Sequence, residues 1–217
     1  MNVLLAGGTG LVGRAFITLA NEHAISLTTV GRRVTGSASN ELVVDFAALP
    51  ALPAAEVAVC TLGTTIADAG SKAAFRAIDF DAVLAFARAA KEAGVSHFLI
   101  VTAIGADARA SAFYARIKGA VEIELADLGF ARLDILQPGL LLGEREVRRP
   151  VEHLLQRLAP AIALLTRGPW DRYASISATR LASALLTLCH EKSPGVFYHQ
   201  SPELQHLGNK NREASAP

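Results

Sequence analysis

The sequence has little of several features that would assign a protein to a class at once. Its 217 residues include only two cysteines, Cys60 and Cys189, which are far apart and lack metal-ligand spacing. No apolar run is long enough to span a membrane, and the N-terminus lacks the pattern of a signal sequence. A net charge of +1 gives no electrostatic basis for binding nucleic acid or an anionic membrane. These absences predict a soluble cytoplasmic protein with buried thiols, without nucleic acid, membrane or metal.

What the chain does contain is a regular alternation of strand and helix patterns with short connections. This alternation predicts an α/β fold, a doubly wound parallel sheet covered on both faces. We expect a single domain over residues 1–207, in which about 140–207 form a small substrate-side lobe, followed by a polar tail, 208–217, that is disordered. The predicted strands are 2–6, 25–30, 41–46, 57–62, 96–102, 131–137, 173–176 and 196–199. The first predicted helix begins at residue 11, and the others span about 72–93, 111–128, 151–165 and 178–190. His97, where the fifth strand begins, is predicted to be a surface or capping histidine in preference to a catalytic one.

A glycine series follows the first strand pattern. Gly7, Gly10 and Gly13 have the spacing Gly-x-x-Gly-x-x-Gly, which fits a tight turn, a close approach of backbone to a pyrophosphate, and close helix–strand packing. The phosphates would lie at the helix N-terminus, where free N–H groups favour negative charge. An ordinary strand–helix turn is the alternative. The residues predicted to bind a dinucleotide here are Gly7, Thr9, Gly10, Leu11, Val12 and Gly13.

Two arginines, Arg32 and Arg33, follow the second strand, where such a fold meets the adenosine ribose. NAD-binding proteins usually have an acid there, whereas a guanidinium suits the 2′-phosphate of NADP(H). We therefore predict NADP(H) in preference to NAD(H). Solvated loop arginines are the alternative.

Further positions for cofactor contacts follow the third and fourth strands. Asp45 is predicted either to accept a hydrogen bond from the adenine amino group or to cap a turn. Leu62, Gly63 and Thr64 come directly after the fourth strand, at the edge of the sheet where ligands bind in such folds. Gly63 would let the backbone pass close to the cofactor ribose and phosphates.

A tyrosine and a lysine, Tyr114 and Lys118, lie four residues apart in the helix pattern after the fifth strand. This spacing puts both side chains on one face of the helix. A phenol is a poor acid or base at neutral pH, and a nearby ammonium group stabilises the phenolate. The same lysine can donate to the nicotinamide ribose hydroxyls. The pair is therefore a candidate for general acid/base catalysis, although the spacing also occurs by chance.

In this order, the glycine loop, Leu62-Gly63-Thr64, Tyr114-x-x-x-Lys118 and Pro138-Gly139 resemble the short-chain dehydrogenase/reductase superfamily, in its atypical, epimerase-like branch. The segments 113–122 and 138–145 are similar to the TIP30 (HTATIP2) oxidoreductase-like group. The resemblance covers about residues 2–200. It implies an NAD(P)-binding Rossmann fold, NADP(H) as the ligand, Tyr114 as general acid/base and Lys118 as its ribose-binding partner. Pro138 would fix the turn beside the nicotinamide, and Gly139 would admit the ring.

The chain departs from that superfamily at one position. A serine or threonine usually follows the fifth strand and polarises the substrate carbonyl, but the sequence here is Thr102-Ala103. If the catalytic position is the second of the two, its hydroxyl is missing. Thr102 could serve after a small adjustment of register, and Ser111 is a less favoured substitute. Loss of such a donor costs on the order of 10²–10³ in rate, so the departure puts catalysis in doubt more than cofactor binding.

Three functions are therefore compared. The first is an NADP(H)-dependent oxidoreductase that acts on a small carbonyl or alcohol compound. The second is a catalytically weak or inactive protein that senses NADP(H) and regulates a partner. A sugar-nucleotide epimerase or dehydratase is less favoured, because such enzymes usually have a larger substrate domain. Monomer and homodimer both remain open. Three arginines either bind an anionic substrate or, as is favoured, form a solvated face: Arg145, Arg148 and Arg149. Trp170 either lines the pocket, anchors an interface or packs in the core.

Overall fold

The structure is a computed structural model, and it describes residues 1–142 and 174–214. The predicted helix at 151–165, the start of the predicted strand at 173, Arg145, Arg148, Arg149 and Trp170 lie outside the described residues. The strands are β1 Asn2–Ala6, β2 Ser26–Gly31, β3 Asn40–Val43, β4 Val57–Cys60, β5 His97–Val101, β6 Arg132–Gln137, β7 Leu141–Leu142, β8 Ile176–Ser177 and β9 Gly195–Gln200. The helices are α1 Leu11–Glu22, α2 Ile66–Ala69, α3 Lys72–Arg76, α4 Ala82–Glu92, α5 Phe113–Asp127, α6 Ala178–Cys189 and α7 Ser201–Ala214.

Seven strands form one parallel sheet in the order β3-β2-β1-β4-β5-β6-β9. The chain moves outward from β1 on one side and then returns to β4 on the other, so the order reverses between β1 and β4. In such sheets ligands bind at the carboxyl ends of the strands beside this reversal. The predicted doubly wound α/β fold is therefore confirmed.

Helices cover both faces of the sheet, as the nearly continuous apolar strands require. On one face, α1 and α6 pack against side chains such as Leu5, Leu99 and Leu136. On the other, α4 and α5 pack against Ala58 and Ile100. Both thiols are buried as expected, and burial raises the pKa of Cys60 to about 12.

The predicted helix at 72–93 is not continuous. A π-helical turn, Ala77–Asp81, separates α3 from α4 and carries one extra residue in the turn. The predicted third strand is also shorter, because it ends at Val43 and a 3₁₀ turn, Phe46–Ala48, begins after Asp45.

The tail predicted to be disordered from residue 208 is helical through Ala214. This correction has a packing cause, because Leu204 is buried and Gly208 lies against α6. A Cβ at Gly208 would come within 2.5 Å of the carbonyl oxygen of Arg180, so the glycine permits close helix contact. Because residues 208–217 are mostly polar, nothing in the sequence indicated this packing.

A buried charged cluster lies on β5, β6 and β9, on the face that α6 covers. We call Arg132, Asp134, His97 and His199 the Asp134 cluster. Asp134 is fully buried and accepts from Arg132 Nε at 2.6 Å and Nη2 at 2.8 Å, from His97 Nε2 at 2.6 Å and from His199 Nε2 at 2.7 Å. His97 was expected at the surface or as a cap; it is buried instead, since Asp134 supplies its acceptor.

No helix within 1–142 and 174–214 is both long and apolar enough to cross a membrane. In the same ranges, no group of three or more His, Cys, Asp or Glu side chains is arranged to hold a metal ion.

Candidate cofactor site

The loop between β1 and α1 has a geometry that only glycine accommodates at two positions. Gly7 has φ +90°, and a Cβ there would lie 2.6 Å from the carbonyl carbon of Thr61. A Cβ at Gly13 would lie 2.2 Å from the carbonyl oxygen of Gly7. Gly7 therefore makes the tight turn and Gly13 lets the helix pack against the loop.

The N-terminus of α1 is open to a ligand. Gly10 is the N-cap, without a capping side chain, and its N–H donates to the Gly7 carbonyl at 2.9 Å. The next N–H groups, from Leu11 to Gly13, have no partner within the helix. Thr9 and Gly10 are exposed, whereas Val12 packs in the core, so Val12 offers only its backbone. An anion is favoured at such a helix end.

The glycine loop and both arginines line one cleft of about 430 Å³. Its lining includes Gly7, Thr9, Arg32, Arg33 and Leu62, and no carboxylate is among the described residues that line it. Both arginine side chains are exposed, so they are free to orient toward an anion. The cleft therefore combines N–H groups and cations where a phosphorylated nucleotide would need them.

Glu41, at the start of the sheet's edge strand, fixes the loop that follows these arginines. Its carboxylate accepts from Thr35 N at 2.8 Å, from Thr35 Oγ1 at 2.6 Å and from Gly36 N at 2.8 Å. The Thr35 hydroxyl is the main reason that the pKa of Glu41 lies below its ordinary value. The loop is thus shaped by a residue that was predicted only as part of a strand.

Asp45 has the capping role that was one of its two predicted roles. Its Oδ1 accepts from Ala47 N at 3.0 Å and begins the 3₁₀ turn. Asp45 also lines a second cleft of about 830 Å³, together with Arg32, Phe46 and Leu62. The adenine contact stays a prediction.

Lys118 lies at the carboxyl end of the sheet in a buried ion pair. Its Nζ is 2.7 Å from Asp79 Oδ1, and the two side chains are 5% and 0% exposed. Asp79 belongs to the π-helical turn, and its Oδ2 accepts from Thr64 N at 2.9 Å. A Cβ at Gly63 would lie 3.5 Å from Asp79 Oδ1 and 3.6 Å from Lys118 Nζ. The structure therefore brings Gly63, Thr64 and Lys118 together through an acid that sequence reasoning missed.

The state of Asp79 follows from this burial. Burial raises the pKa of Asp79 above its ordinary value, and the ammonium group of Lys118 only partly offsets the effect. Oδ1 faces Lys118 Nζ and Oδ2 faces Thr64 N, so each oxygen has one polar neighbour. A buried carboxylate in this condition is unusual and calls for an explanation.

Tyr114 lies one turn before Lys118 in α5 and is 38% exposed. Its ring packs against Phe75, with centroids 5.5 Å apart. In the described part of the chain, no side chain is hydrogen-bonded to its hydroxyl, so the hydroxyl is available to a ligand.

Thr102 does not present a free hydroxyl. It is buried, and its Oγ1 donates to Glu122 Oε1 at 2.5 Å. Gln137 Nε2 donates to the same carboxylate at 3.1 and 3.0 Å. Burial raises the pKa of Glu122, against the effect of these hydrogen bonds. The predicted catalytic role of Thr102 stays a prediction, and its hydroxyl is already engaged.

Pro138 and Gly139 end β6 beside the Thr102 segment. The Pro138 carbonyl accepts from Ile104 N at 3.0 Å, and Gly139 N donates to Ser201 Oγ at 2.8 Å. These bonds fix the turn to the neighbouring loop and to α7. The predicted contact of Pro138 and Gly139 with the nicotinamide ring stays a prediction.

One sequence signal for Asp79 was available. It lies four residues after Phe75 on the apolar stripe of the predicted helix, where a carboxylate has no place in an ordinary core. Glu122, four residues after Lys118, has the same character. Acids on the buried face of a helix therefore mark this site.

Comparison with known proteins assigns the chain to a family. The model of the family described as HIM1 matches residues 27–164. Protein fmp52, mitochondrial, of Emericella nidulans is 32% identical over 193 residues, covering 81% of this chain and 82% of that protein. Protein HTATIP2 of Rattus norvegicus is 34% identical over 168 residues, covering 72% and 69%. The predicted resemblance to the HTATIP2 group is confirmed.

Coverage differs among relatives. Protein FMP52, mitochondrial, of Coccidioides immitis is 43% identical over 118 residues, which are 54% of this chain but only 48% of that protein.

The predicted cytoplasmic location is wrong by this comparison, because the fungal relatives are named mitochondrial proteins. Free thiols indicate only a reducing compartment, so they could not make the distinction.

Solved structures share the fold. A human epimerase family protein, SDR39U1, with NADPH has a TM-score of 0.67 at 20% identity, covering 93% of this chain and 75% of that chain. MoeE5 in complex with UDP-glucose and NAD has a TM-score of 0.70 at 15% identity, covering 98% and 82%. The first structure contains NADPH and the second NAD, and at these identities the likeness extends to the fold alone.

Proposed function

The chain belongs to the HIM1 family, and we propose that it is an NADP(H)-dependent oxidoreductase acting on a small carbonyl or alcohol compound. The observation that carries this proposal is the cleft that Gly7–Thr9 of the glycine loop share with two exposed arginines, where the loop leads into the open N-terminus of α1. The neighbours that bind NADPH or NAD support a nicotinamide cofactor. The preference for NADP(H) rests on this chain's own residues.

Arg32 and Arg33 would hold the 2′-phosphate. A guanidinium pairs with phosphate through charge-assisted hydrogen bonds, each contributing about 1.5–3 kcal/mol. Replacing both arginines with glutamine should weaken NADPH binding about tenfold or more and leave NADH binding nearly unchanged. Equal effects on both cofactors, measured by calorimetric titration, would instead favour NAD(H).

The reaction would take place at the other end of the ligand, near α5. When bound, the cofactor supplies hydride transfer. Lys118 would donate to the ribose hydroxyls, and Tyr114 would exchange a proton with the substrate oxygen. The exposed Tyr114 hydroxyl and the rigid helix that carries both residues support these roles.

The test is cofactor turnover with a panel of small carbonyl compounds, followed by absorbance. Tyr114→Phe should lower kcat by about 10²–10⁴-fold, which is the usual contribution of a general acid. Tyr198→Phe is the matched control, because Tyr198 is exposed on β9, and it should leave the rate unchanged. A Tyr114→Phe rate equal to that of the unaltered chain would refute the role of Tyr114.

A second candidate is an NADP(H)-sensing protein that regulates a partner with little or no turnover. The bond from Thr102 to Glu122, next to an alanine at Ala103, favours it, since neither of the two residues directly after β5 offers a free hydroxyl. Ala103→Ser separates the two candidates. A slow enzyme that lacks this donor should gain about 10²-fold in rate, whereas a pure sensor should bind NADPH and remain inactive.

We also propose that the protein works in mitochondria, on the names of the fungal relatives. Fractionation of cells that express the natural full-length protein tests this. Enrichment with the mitochondrial fraction is expected, and exclusive recovery from the cytosol would contradict it.

A further inference from the structure

A buried acid ties together two elements of the candidate site. Asp79 contacts the loop after β4 through Thr64 N at 2.9 Å and contacts α5 through Lys118 Nζ at 2.7 Å. These residues are 15 and 39 positions away from Asp79 in the sequence. The π-helical turn between α3 and α4 contains one extra residue, and Asp79 points inward from this turn. Such turns are frequent at functional sites.

Stability alone does not explain this pair. Removing two charges from water is costly, and a buried ion pair often contributes no more than apolar residues of similar size. Among the described residues, Asp79 has two polar neighbours, Lys118 Nζ and Thr64 N, whereas a carboxylate can accept about four hydrogen bonds. An arrangement that is expensive and incompletely satisfied suggests a task outside folding.

The pair is buried beside an exposed glycine. Gly63 is exposed directly above it, within 3.5–3.6 Å of both charged atoms if a Cβ is added. This is the carboxyl end of β4, beside the reversal of strand order. The lysine ammonium has three N–H donors, and Asp79 faces only one of its sides.

We propose that Asp79 is a positioning residue, which holds Lys118 Nζ and the Thr64 backbone where they receive the ribose hydroxyls at the nicotinamide half of the cofactor. The proposal rests on the proposed cofactor binding. It predicts that Asp79 increases the affinity for the nicotinamide half of the cofactor. It should not affect the affinity for the adenosine half, which would contact the glycine loop and the arginines.

The experiment titrates the full chain with NADPH and with 2′,5′-ADP, which lacks the nicotinamide ribose. Asp79→Asn should raise the Kd for NADPH about tenfold or more and change that for 2′,5′-ADP less than about twofold. Glu124→Gln is the matched control, because Glu124 forms an exposed ion pair with Arg88 between the same two helices, at 3.9 Å. It should change neither Kd.

Each other outcome overturns the role. Equal losses for both ligands would show a general structural effect, and unchanged or tighter NADPH binding would show that Asp79 does not prepare Lys118 for the ligand. If the unaltered chain binds neither ligand, the proposed function fails first and the positioning role with it. If Asp79→Asn does not fold, a chain carrying both Asp79→Asn and Lys118→Met removes the buried charges together. Its NADPH affinity should equal that of Lys118→Met alone, and a further loss would contradict the proposal.

Discussion

Two buried aspartates, Asp134 on β6 and Asp79 in the π-helical turn, are in opposite electrostatic states. Asp134 accepts four hydrogen bonds from one arginine and two histidines. Burial acts to raise its pKa, but the bonds from His199, His97 and Arg132 outweigh burial and hold the pKa well below its ordinary range. Asp79 has one backbone N–H and one ammonium group, and its pKa is raised.

This difference distinguishes Asp134, which stabilises the fold, from Asp79, whose burial as a charged group costs free energy. Asp134 ties the outer strands β5, β6 and β9 together and its oxygens are satisfied. Asp79 lies at the ligand edge of the sheet and is incompletely satisfied. Buried charges are therefore informative about function only when their hydrogen-bond partners are counted.

Breaking the Asp134 cluster should have the largest effect on stability. Asp134→Asn leaves Arg132 buried without a counter-charge, so the free energy of unfolding should fall by about 3–5 kcal/mol. Asp79→Asn also leaves a buried cation, Lys118, but it affects one ion pair and one hydrogen bond instead of four charge-assisted hydrogen bonds, so it should cost less. Urea denaturation of both variants at neutral pH measures this, and an equal or larger loss for Asp79→Asn would remove the distinction.

The two aspartates should also differ in the sign of their pH dependence. The pKa of Asp134 is depressed on folding, so its contribution to stability is present above about pH 4 and is lost as the pH falls through the folded-state pKa. The pKa of Asp79 is raised, so its ionisation weakens the fold as the pH rises above about 4. The stability of the unaltered chain relative to each Asn variant, measured from about pH 3 to 7, should thus rise for Asp134 and fall for Asp79. The same sign for both would contradict the assignment.

His199, in the Asp134 cluster, should also make the stability depend on pH. Burial lowers its pKa, but the carboxylates of Asp134 and Glu203, at 2.7 and 2.8 Å, outweigh burial and raise it. Its contribution is therefore fully present below about pH 6.5 and lost as the pH rises through the folded-state pKa. His199→Gln should remove this loss, leaving a flatter stability profile across neutral pH in thermal unfolding. A profile as steep as that of the unaltered chain would contradict the ion pairing.

The smallest effect should come from the exposed pair of Arg88 and Glu124. Its side chains are 58% and 50% exposed and its atoms are 3.9 Å apart, so solvent screens the attraction. Glu124→Gln should change the free energy of unfolding by less than about 0.5 kcal/mol. A loss comparable to that of Asp134→Asn would mean that burial is not what distinguishes these pairs.

Local patterns were enough to predict the seven strands of the sheet and the glycine loop. Strand and helix periodicity depends on neighbouring residues, and the steric demands of Gly7 and Gly13 follow from the strand–turn–helix that contains them. The two arginines were predicted at the edge of this cleft for the same reason, since they directly follow β2.

What could not be predicted depends on contacts between distant segments. Asp79 meets Lys118 only because the π-helical turn redirects it, and no periodicity shows such a turn. His97 was assigned to the surface because its acceptor, Asp134, lies on another strand. Gly208 was taken as the start of a flexible tail, although its lack of a side chain is what allows α7 to pack against α6.

Thermal unfolding of the unaltered chain with and without NADPH tests the central claim, nicotinamide cofactor binding at the glycine loop, most directly. At a concentration about 100 times Kd, a ligand that binds only the folded chain adds about 2.7 kcal/mol. For a protein of this size, that corresponds to a rise in Tm of about 5–10 °C. We expect this rise with NADPH and a smaller one with NADH at equal concentration. A Tm that neither cofactor changes at saturating concentration would contradict the assignment of the glycine loop as a cofactor site.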